Sequence, residues 1–431
     1  MRIRLSSILY ILPLVFATIT KAAEEKVVRC ATDEYMKARM VADPALRGQR
    51  QRDEVMLQDY MARMEASKLS SSQSIVTIPV VVHVVYRLSA QNITDAQIQS
   101  QIDVLNEDFA RLNADTVNTP APFKPLARGT NFRFCLAQQD TIGNATNGIE
   151  RRYTTVSSFS TNNAVKFYSS GGLNAWDPDR FLNIWVCNLG GGILGYGEFP
   201  TSSPSTTFGL VVKYNAFGRT GTLMSTYDLG RTTVHEISHC FGLYHIWGDD
   251  NGTCAGSDLC TDTPNQADMN YGCRTFPTYD SCSPDSTNPN GIMFMNYMDY
   301  SDDICLNMFT YRQSLRMTSA MNLYYPTLLT STACQPVLTG IQEPGVSFLP
   351  SVYPNPSAGI FNIDFFTTVS DGKDVQLTVT DLSGRTVVAR TYGSPAGSIQ
   401  QVDLSDKPEG VYFFQLQCGS VLRTYRVALV R

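Results

Sequence analysis

Three of the four histidines in the chain fall in one run, His235-Glu236-Ile237-Ser238-His239-Cys240-Phe241-Gly242-Leu243-Tyr244-His245. On a helix, His235 and His239 stand one turn apart and project from the same face. Gly242 can take a positive φ that other residues resist, so the chain can leave the helix there and swing His245 back to the same point. The run satisfies H-E-x-x-H-x-x-G-x-x-H at every defined position. Three neutral imidazoles on one ion leave a tetrahedral position open for water, which is the arrangement of a catalytic zinc site and not of a closed structural one. Glu236 follows the first ligand and can sit beside that water as a general base.

The rest of the chain says where such a site would work. Its 431 residues exceed one average domain, so two or three folded units are expected. Hydrophobic residues at 43% and charged residues at 17% are globular proportions. A net charge of -5 gives no electrostatic reason to expect nucleic acid or an anionic membrane as partner. Arg2 and Arg4 precede a mostly apolar run from Leu5 to Ile19, and Ala22 and Ala23 follow, which reads as a secretory signal peptide over residues 1–22. That run is short of the roughly 20 apolar residues a spanning helix needs, and no later stretch is long enough. Eleven cysteines in an exported chain suggest disulfides, and the odd count leaves at least one thiol for another job. Cys254, Cys260, Cys273, Cys282 and Cys305 crowd into a stretch rich in Asn, Asp, Gly and Pro that should lack long regular elements.

Residues 23–71 form a highly charged leader with a helical pattern near Val55–Met64, and the Ser-rich segment 67–74 closes it as a linker. A catalytic unit follows over 72–335. Its first strand lies at 75–86, nearly all apolar and β-branched as for burial on both faces, with the regular part expected after Pro79. Thr94 and Gln97 form a capping box for a helix whose apolar stripe is Ile98, Ile102, Leu105, Phe109 and Leu112. Strands are expected at Phe132–Ala137, Phe181–Cys187 and Leu210–Tyr214, and the Gly-rich piece Gly190–Gly197 reads as a structural loop. The expected class is α/β (α+β), a mixed sheet backed by helices including the one that carries the histidines. Beyond a linker at 336–350 the texture changes. Strand-like runs at Ile360–Phe366, Val375–Thr380 and Val411–Gln417, separated by turns, predict a small all-β sandwich over 351–431.

The histidine run followed by Asn296-Tyr297-Met298-Asp299-Tyr300 resembles a metzincin peptidase with its methionine turn. More narrowly, G-L-Y-H-I-W-G-D at the end of the run, Asp262-Thr263-Pro264, and M-D-Y-S-D-D-I-C before a Phe-Thr pair resemble the pappalysin family, over roughly Ile75 to Ala333. The resemblance implies a zinc endopeptidase acting on proteins or peptides. Met298 would be the apolar floor under the zinc, a packing role it could hold in any core. Tyr300, which alone would read as a packing aromatic, would stabilise the tetrahedral intermediate through its hydroxyl. The resembling family also implies structural calcium in the loop carrying Asp249, Asp250, Asp258 and Asp262, with Asp249, Asp262 and Thr263 as candidate ligands; read alone, these are solvated loop residues or caps. It implies a Cys273–Cys305 disulfide, leaving Cys282 to pair with Cys254 or Cys260. Arg29-Cys30 lies in the leader, and a Cys30 thiolate as fourth zinc ligand would keep a precursor latent, as in similar bacterial proenzymes. Family members that cleave before Arg or Lys place an acid in the receiving pocket; here Ile304 precedes Cys305, and Asp302 and Asp303 lie just earlier.

The C-terminal segment, with Val352-Tyr353-Pro354-Asn355-Pro356, L-T-V-T-D-L-S-G-R and E-G-V-Y-F, resembles the sorting domain of the type IX secretion system of Bacteroidetes. It implies the secretion machinery as a partner and release or surface attachment as the outcome. Two rival classes exist. A surface adhesin with a structural metal has no need of Glu236, and a zinc hydrolase of non-peptide substrates has no need of a methionine turn.

Overall fold

The computed structural model describes residues 26–66, 74–203, 205–337, 348, 350–365, 373–395, 397–419 and 421–430. The expected signal peptide at 1–22 lies outside the described residues, as does most of the linker at 336–350 and of the Ser-rich linker. The chain divides into two compact units, Met1–Val337 and Leu338–Arg431. No described helix is long and apolar enough to cross a membrane.

The first unit is built on a six-stranded sheet around β1 (Val76–Tyr86). β2 (Phe132–Leu136) and β3 (Ile149–Tyr153) pair with the first and second halves of one edge of β1, both parallel. On the other side come β4 (Leu182–Cys187) and β6 (Leu210–Lys213), also parallel, and then β5 (Gly195–Gly197), antiparallel at the edge. Alternation along the strands sends Ile78, Val80, Val82 and Val84 into the main core, which they share with Ile98 and Leu105 of α3 (Asp95–Phe109) and Val234 and Ile237 of α4 (Arg231–Cys240). Val85, Trp185, Cys187, Tyr196 and Val211 form a second cluster with Tyr35 and Met36 of the leader.

Several local expectations change. β1 starts at Val76 and contains Pro79, because β4 pairs only from Val80 onward and the missing N–H at Pro79 costs no ladder bond on that side. Thr94 caps α3 by accepting from Gln97 N, but Gln97 Nε2 turns away to the carbonyls of Tyr214 and Phe217, so the box is half made. α3 ends at Phe109, and Leu112 lies past its end, 71% exposed. The Gly-rich piece is not simply a loop: Gly195–Gly197 is the edge strand β5. A Cβ on Gly195 would stand 2.8 Å from Glu236 Cγ, and one on Gly197 2.7 Å from Glu236 O. The glycines, which hide the strand from a propensity reading, let it approach α4.

The leader folds as two helices against this unit, α1 (Thr32–Ala42) and α2 (Pro44–Ala66). Pro44 opens α2, at a position where a missing N–H is harmless. α2 lays Leu57 and Met61 against Leu315 and Ala320 of α5 (Tyr311–Tyr324). Residues 241–302 carry no helix or strand and are held by Cys254–Cys282 and, reaching the following segment, Cys273–Cys305. Cys282 therefore pairs with Cys254, and Cys260 is a buried thiol. A third disulfide, Cys135–Cys334, ties β2 to the segment after the short helix α6 (Pro326–Leu329). The second unit consists of two antiparallel sheets. β9 (Val375–Asp381), β10 (Thr386–Tyr392), β12 (Gly410–Cys418) and β13 (Val421–Leu429) make one, and β7 (Ser351–Tyr353), β8 (Ile360–Asp364) and β11 (Ile399–Asp403) the other. Phe361, Ile363, Leu377, Val379, Phe414 and Leu416 belong to one core.

Cys135–Cys334 closes a loop of sequence separation 199, so its removal should be felt globally. A Cys135→Ser/Cys334→Ser variant is expected to lose about 2–5 kcal/mol of stability. Urea unfolding followed by tryptophan fluorescence checks this, and an unchanged midpoint would count against a constraining role for that bridge.

Candidate metal centre

α4 ends at Cys240, and the chain turns at Gly242, whose φ is +92°. The Gly242 carbonyl accepts from Arg316 Nε at 2.7 Å, and the Arg316 guanidinium is gripped by Glu54 of α2 at 2.6 and 2.7 Å. The turn returns His245 to the two helix histidines. His239 Nε2 lies 3.1 Å from both His235 Nε2 and His245 Nε2. The far ring nitrogens all have partners: His235 Nδ1 with Tyr297 O at 2.7 Å, His239 Nδ1 with Leu243 O at 2.8 Å, and His245 Nδ1 with Asp249 Oδ1 at 2.7 Å.

These partners decide what the centre can hold. A carbonyl or carboxylate at Nδ1 makes Nδ1 the protonated nitrogen, so each Nε2 presents a lone pair. Burial pushes His235 and His239 well below the usual histidine range, so they stay neutral. Burial also works to lower His245, but the Asp249 carboxylate more than offsets it and leaves its ring the most basic of the three. Three lone pairs facing one another at this spacing repel unless a cation sits among them. Tetrahedral bonds of about 2.0–2.1 Å would set ligand nitrogens roughly 3.3 Å apart, close to what is found. The donor set fits zinc.

Cys30 supplies a fourth donor. Its Sγ lies 3.5 Å from His239 Nε2 and 3.4 Å from Glu236 Oε2, and the four donor atoms lie within 4.8 Å of one another. Burial and the adjacent Glu236 push the thiol well up, so a thiolate here needs a metal to hold it. Glu236 is fully buried, and burial pushes its carboxyl up to about 7 against the pull of hydrogen bonds from Cys30 and Thr32. Thr32 Oγ1 donates to Glu236 Oε2 at 2.9 Å and accepts from Gly197 N at 2.8 Å, while Glu236 Oε1 has no partner among the described residues. Tyr300 Oη lies 3.2 Å from His245 Nε2 and donates to the Cys30 carbonyl at 3.1 Å. Met298 is fully buried in the main core, and its carbonyl accepts from Ile246 N. Asp299 accepts from Asn270 and Gln266, tying the methionine turn to the disulfide-held loop.

The leader crosses this centre along the edge of β5. Leu194 N donates to Val28 O, and Ala31 N donates to Gly195 O. Arg29 is buried with Nη2 2.9 Å from Asp303 Oδ1 and its guanidinium over the Tyr227 ring. Asp303 Oδ2 accepts from Leu229 N and Arg231 N. Of the candidate acids before Cys305, Asp303 is the buried one, whereas Asp302 Oδ1 accepts from Gly272 N and Ile304 is 69% exposed.

The loop residues expected to hold calcium divide. Asp249 faces His245. Asp262 accepts from Thr310 Oγ1 and Arg312 N at the start of α5, and Thr263 Oγ1 lies 2.8 Å from Asp258 Oδ1 and 2.6 Å from Cys260 O. Sequence reasoning named Asp302 and Asp303 without choosing between them, and it missed Thr32, Gly195, Gly197 and the role of Asp249 behind His245. Only the last had a signal, the i,i+4 spacing from His245.

Comparison with known proteins adds the following. Residues 171–322 match the peptidase family described as pregnancy-associated plasma protein-A, and residues 351–428 match a secretion system C-terminal sorting domain. An extracellular metalloprotease of Pyricularia oryzae is 35% identical over 256 residues, 58% of this chain and 77% of the relative. One of Arthroderma otae is 29% identical over 254 residues, 58% and 79%. A Tannerella forsythia promirolysin mutant is 44% identical with a TM-score of 0.65, covering 72% of this chain and 99% of that one. Mature mirolysin of the same organism with a cleaved peptide is 50% identical with a TM-score of 0.57, covering 59% and 98%.

If Asp249 orients His245 and raises its basicity, Asp249→Asn should weaken zinc binding about 10–100-fold. Competition with a chromophoric chelator, with bound zinc measured by atomic absorption, reads this; equal retention by variant and parent would remove Asp249 from the centre.

Proposed function

The chain belongs to the pregnancy-associated plasma protein-A family of metallopeptidases and is a secreted zinc endopeptidase made as a precursor; from that premise we propose how its residues divide the work. His235, His239 and His245 hold the zinc and Glu236 is the general base. When bound, zinc polarises the scissile carbonyl and lowers the pKa of the attacking water. Glu236 takes a proton from that water on Oε1 as the new carbon–oxygen bond forms. It passes the proton to the leaving amine as the carbon–nitrogen bond breaks. The buried Oε1, without a partner among the described residues, supports this role. Tyr300, whose burial keeps its phenol protonated, donates to the developing oxyanion; its hydrogen bond to the Cys30 carbonyl, beside the metal donors, supports that placement. Met298 packs beneath.

The single observation that carries the reading is the leader lying through the centre with Cys30 at the metal and Arg29 on Asp303. Residues 1–22 act as the signal peptide, 23–71 as the inhibitory pro-segment, 72–335 as the catalytic domain, 336–350 as a linker and 351–431 as the sorting domain that engages the type IX machinery. In the precursor the Cys30 thiolate takes the position that water needs. Asp303, with Oδ2 fixed by two backbone amides, leaves Oδ1 for a cation, and a buried carboxylate stripped of its partner costs about 3–5 kcal/mol. Once Arg29 leaves, the pocket therefore favours Arg or Lys, and cleavage falls before a basic residue. A structural calcium in the 249–263 loop belongs to the same reading. Asp258 Oδ2 is buried without a partner among the described residues, and burial pushes that carboxyl up to about 7, a cost a cation would relieve. Asp262 and Thr263 offer further oxygens, while Asp249 serves His245.

Glu236→Ala in the activated protein should lower cleavage of denatured protein substrates by about 100-fold or more, and chelator should abolish the parent's activity. Chelator-resistant cleavage, or a fully active variant, would sink the mechanism. Cys30→Ala should make the precursor leaky yet less active than the activated form, since Arg29 and Thr32 still occupy the cleft; a precursor as silent as the parent on a quenched fluorescent peptide would exclude the thiolate switch.

A further inference from the structure

Beyond Arg29, Cys30 and Thr32, the pro-segment makes a further buried contact with the catalytic domain through Tyr35. The order of contacts along β5 gives its place: Val28 beside Leu194, Ala31 on Gly195, Thr32 on Gly197, then Tyr35 one helical turn later. Arg29 on Asp303 and Tyr35 thus lie on opposite sides of the metal donors. Where Asp303 receives the residue after the scissile bond, Tyr35 marks the side that receives residues before it.

Tyr35 is 2% exposed. Its ring centroid lies 4.9 Å from that of Tyr196, tilted by 46°, and Lys166 Nζ stands 5.8 Å from the ring centre. Its hydroxyl accepts from Asn163 Nδ2 at 2.8 Å and donates to Glu198 Oε2 at 3.3 Å. Tyr196, Lys166 and Glu198 are themselves at most 1% exposed. Glu198 stays satisfied without the pro-segment, through Ser205 Oγ, Thr207 Oγ1 and Lys166 Nζ. The pocket is therefore prebuilt and close to charge-neutral once Arg39, the pro-segment's other contact to Glu198, has gone. An aromatic wall with one donor and one acceptor at its end matches a phenol better than a plain aromatic ring or an aliphatic chain, because an apolar occupant leaves the half-buried Asn163 amide without the partner that Tyr35 gives it.

We propose that the pocket formed by Asn163, Lys166, Tyr196 and Glu198, filled in the precursor by Tyr35, is a subsite of the activated protease that receives a tyrosine side chain from the acyl side of the substrate. The inference rests on the pro-segment leaving the cleft and on Asp303 marking the amine side. The subsite lies at the far end of β5 from the basic pocket, on the sheet face that Tyr196 shares with Trp185 and Val211.

The test uses zinc-loaded protease obtained by activating the full-length precursor. A proteome-derived peptide library, with both sides of every cut read by mass spectrometry, should show tyrosine enriched at one position among the four before the cut. A peptide pair differing only by Tyr or Phe at that position should then differ about 5-fold in kcat/KM, the worth of a hydrogen bond. Asn163→Gly keeps the positive φ of 63° at that position and removes the amide, and should bring the ratio close to one. A flat acyl side, or equal cleavage of the Tyr and Phe peptides by the parent, overturns the subsite even where a basic residue still follows the cut. Tyrosine enrichment without that basic preference supports the subsite and overturns the Asp303 reading instead.

Discussion

Three imidazole lone pairs aimed at one another across about 3 Å form the arrangement on which the rest of the catalytic unit depends. They can face each other only because every far ring nitrogen is fixed by an acceptor: a carbonyl of the methionine turn, a carbonyl of the turn after α4, and Asp249. Those acceptors come from segments with no regular structure of their own, which disulfides and Asp299 hold in place. The irregular stretch 241–302 is therefore part of the metal centre's frame. Arg316 extends that frame to α5 by holding the carbonyl of Gly242.

The leader occupies several chemically distinct positions of the centre at once. Cys30 lies among the three histidines, Thr32 on Glu236, Arg29 on Asp303 and Tyr35 against Tyr196. Spreading the contacts removes the need for any one to be strong. Glu54 of α2 also supports the same Arg316 that holds the Gly242 carbonyl. Without α2 a buried guanidinium would lose its carboxylate, which ties the leader to the turn after α4.

Much of this was legible from residue types alone. The histidine run demands a helix, a glycine turn and a metal, because no other chemistry needs that spacing; the β-branched run at 75–86 demands a buried strand; the Tyr300 and Met298 positions follow from resemblance. Where reading failed, a tertiary contact overrode a local rule. Gly195–Gly197 looks like a loop by propensity, yet it is the edge strand beside Glu236, since a Cβ there would collide with α4. Gln97 belongs to a capping box by pattern, yet its amide serves carbonyls more than a hundred residues away.

By itself, then, the sequence determined the zinc peptidase class, the export of the chain and the two-unit organisation, all carried by short-range spacing and composition. Only the tertiary structure decided which acid is buried under Arg29, which cysteine Cys282 takes, and that Asp249 faces a histidine. Asp302 and Asp303 are equivalent as letters. One accepts from Gly272 on the near side of its turn and the other is buried under Arg29 with two backbone amides on its second oxygen. Burial and the direction of a side chain come from contacts between distant segments, and no local pattern encodes them.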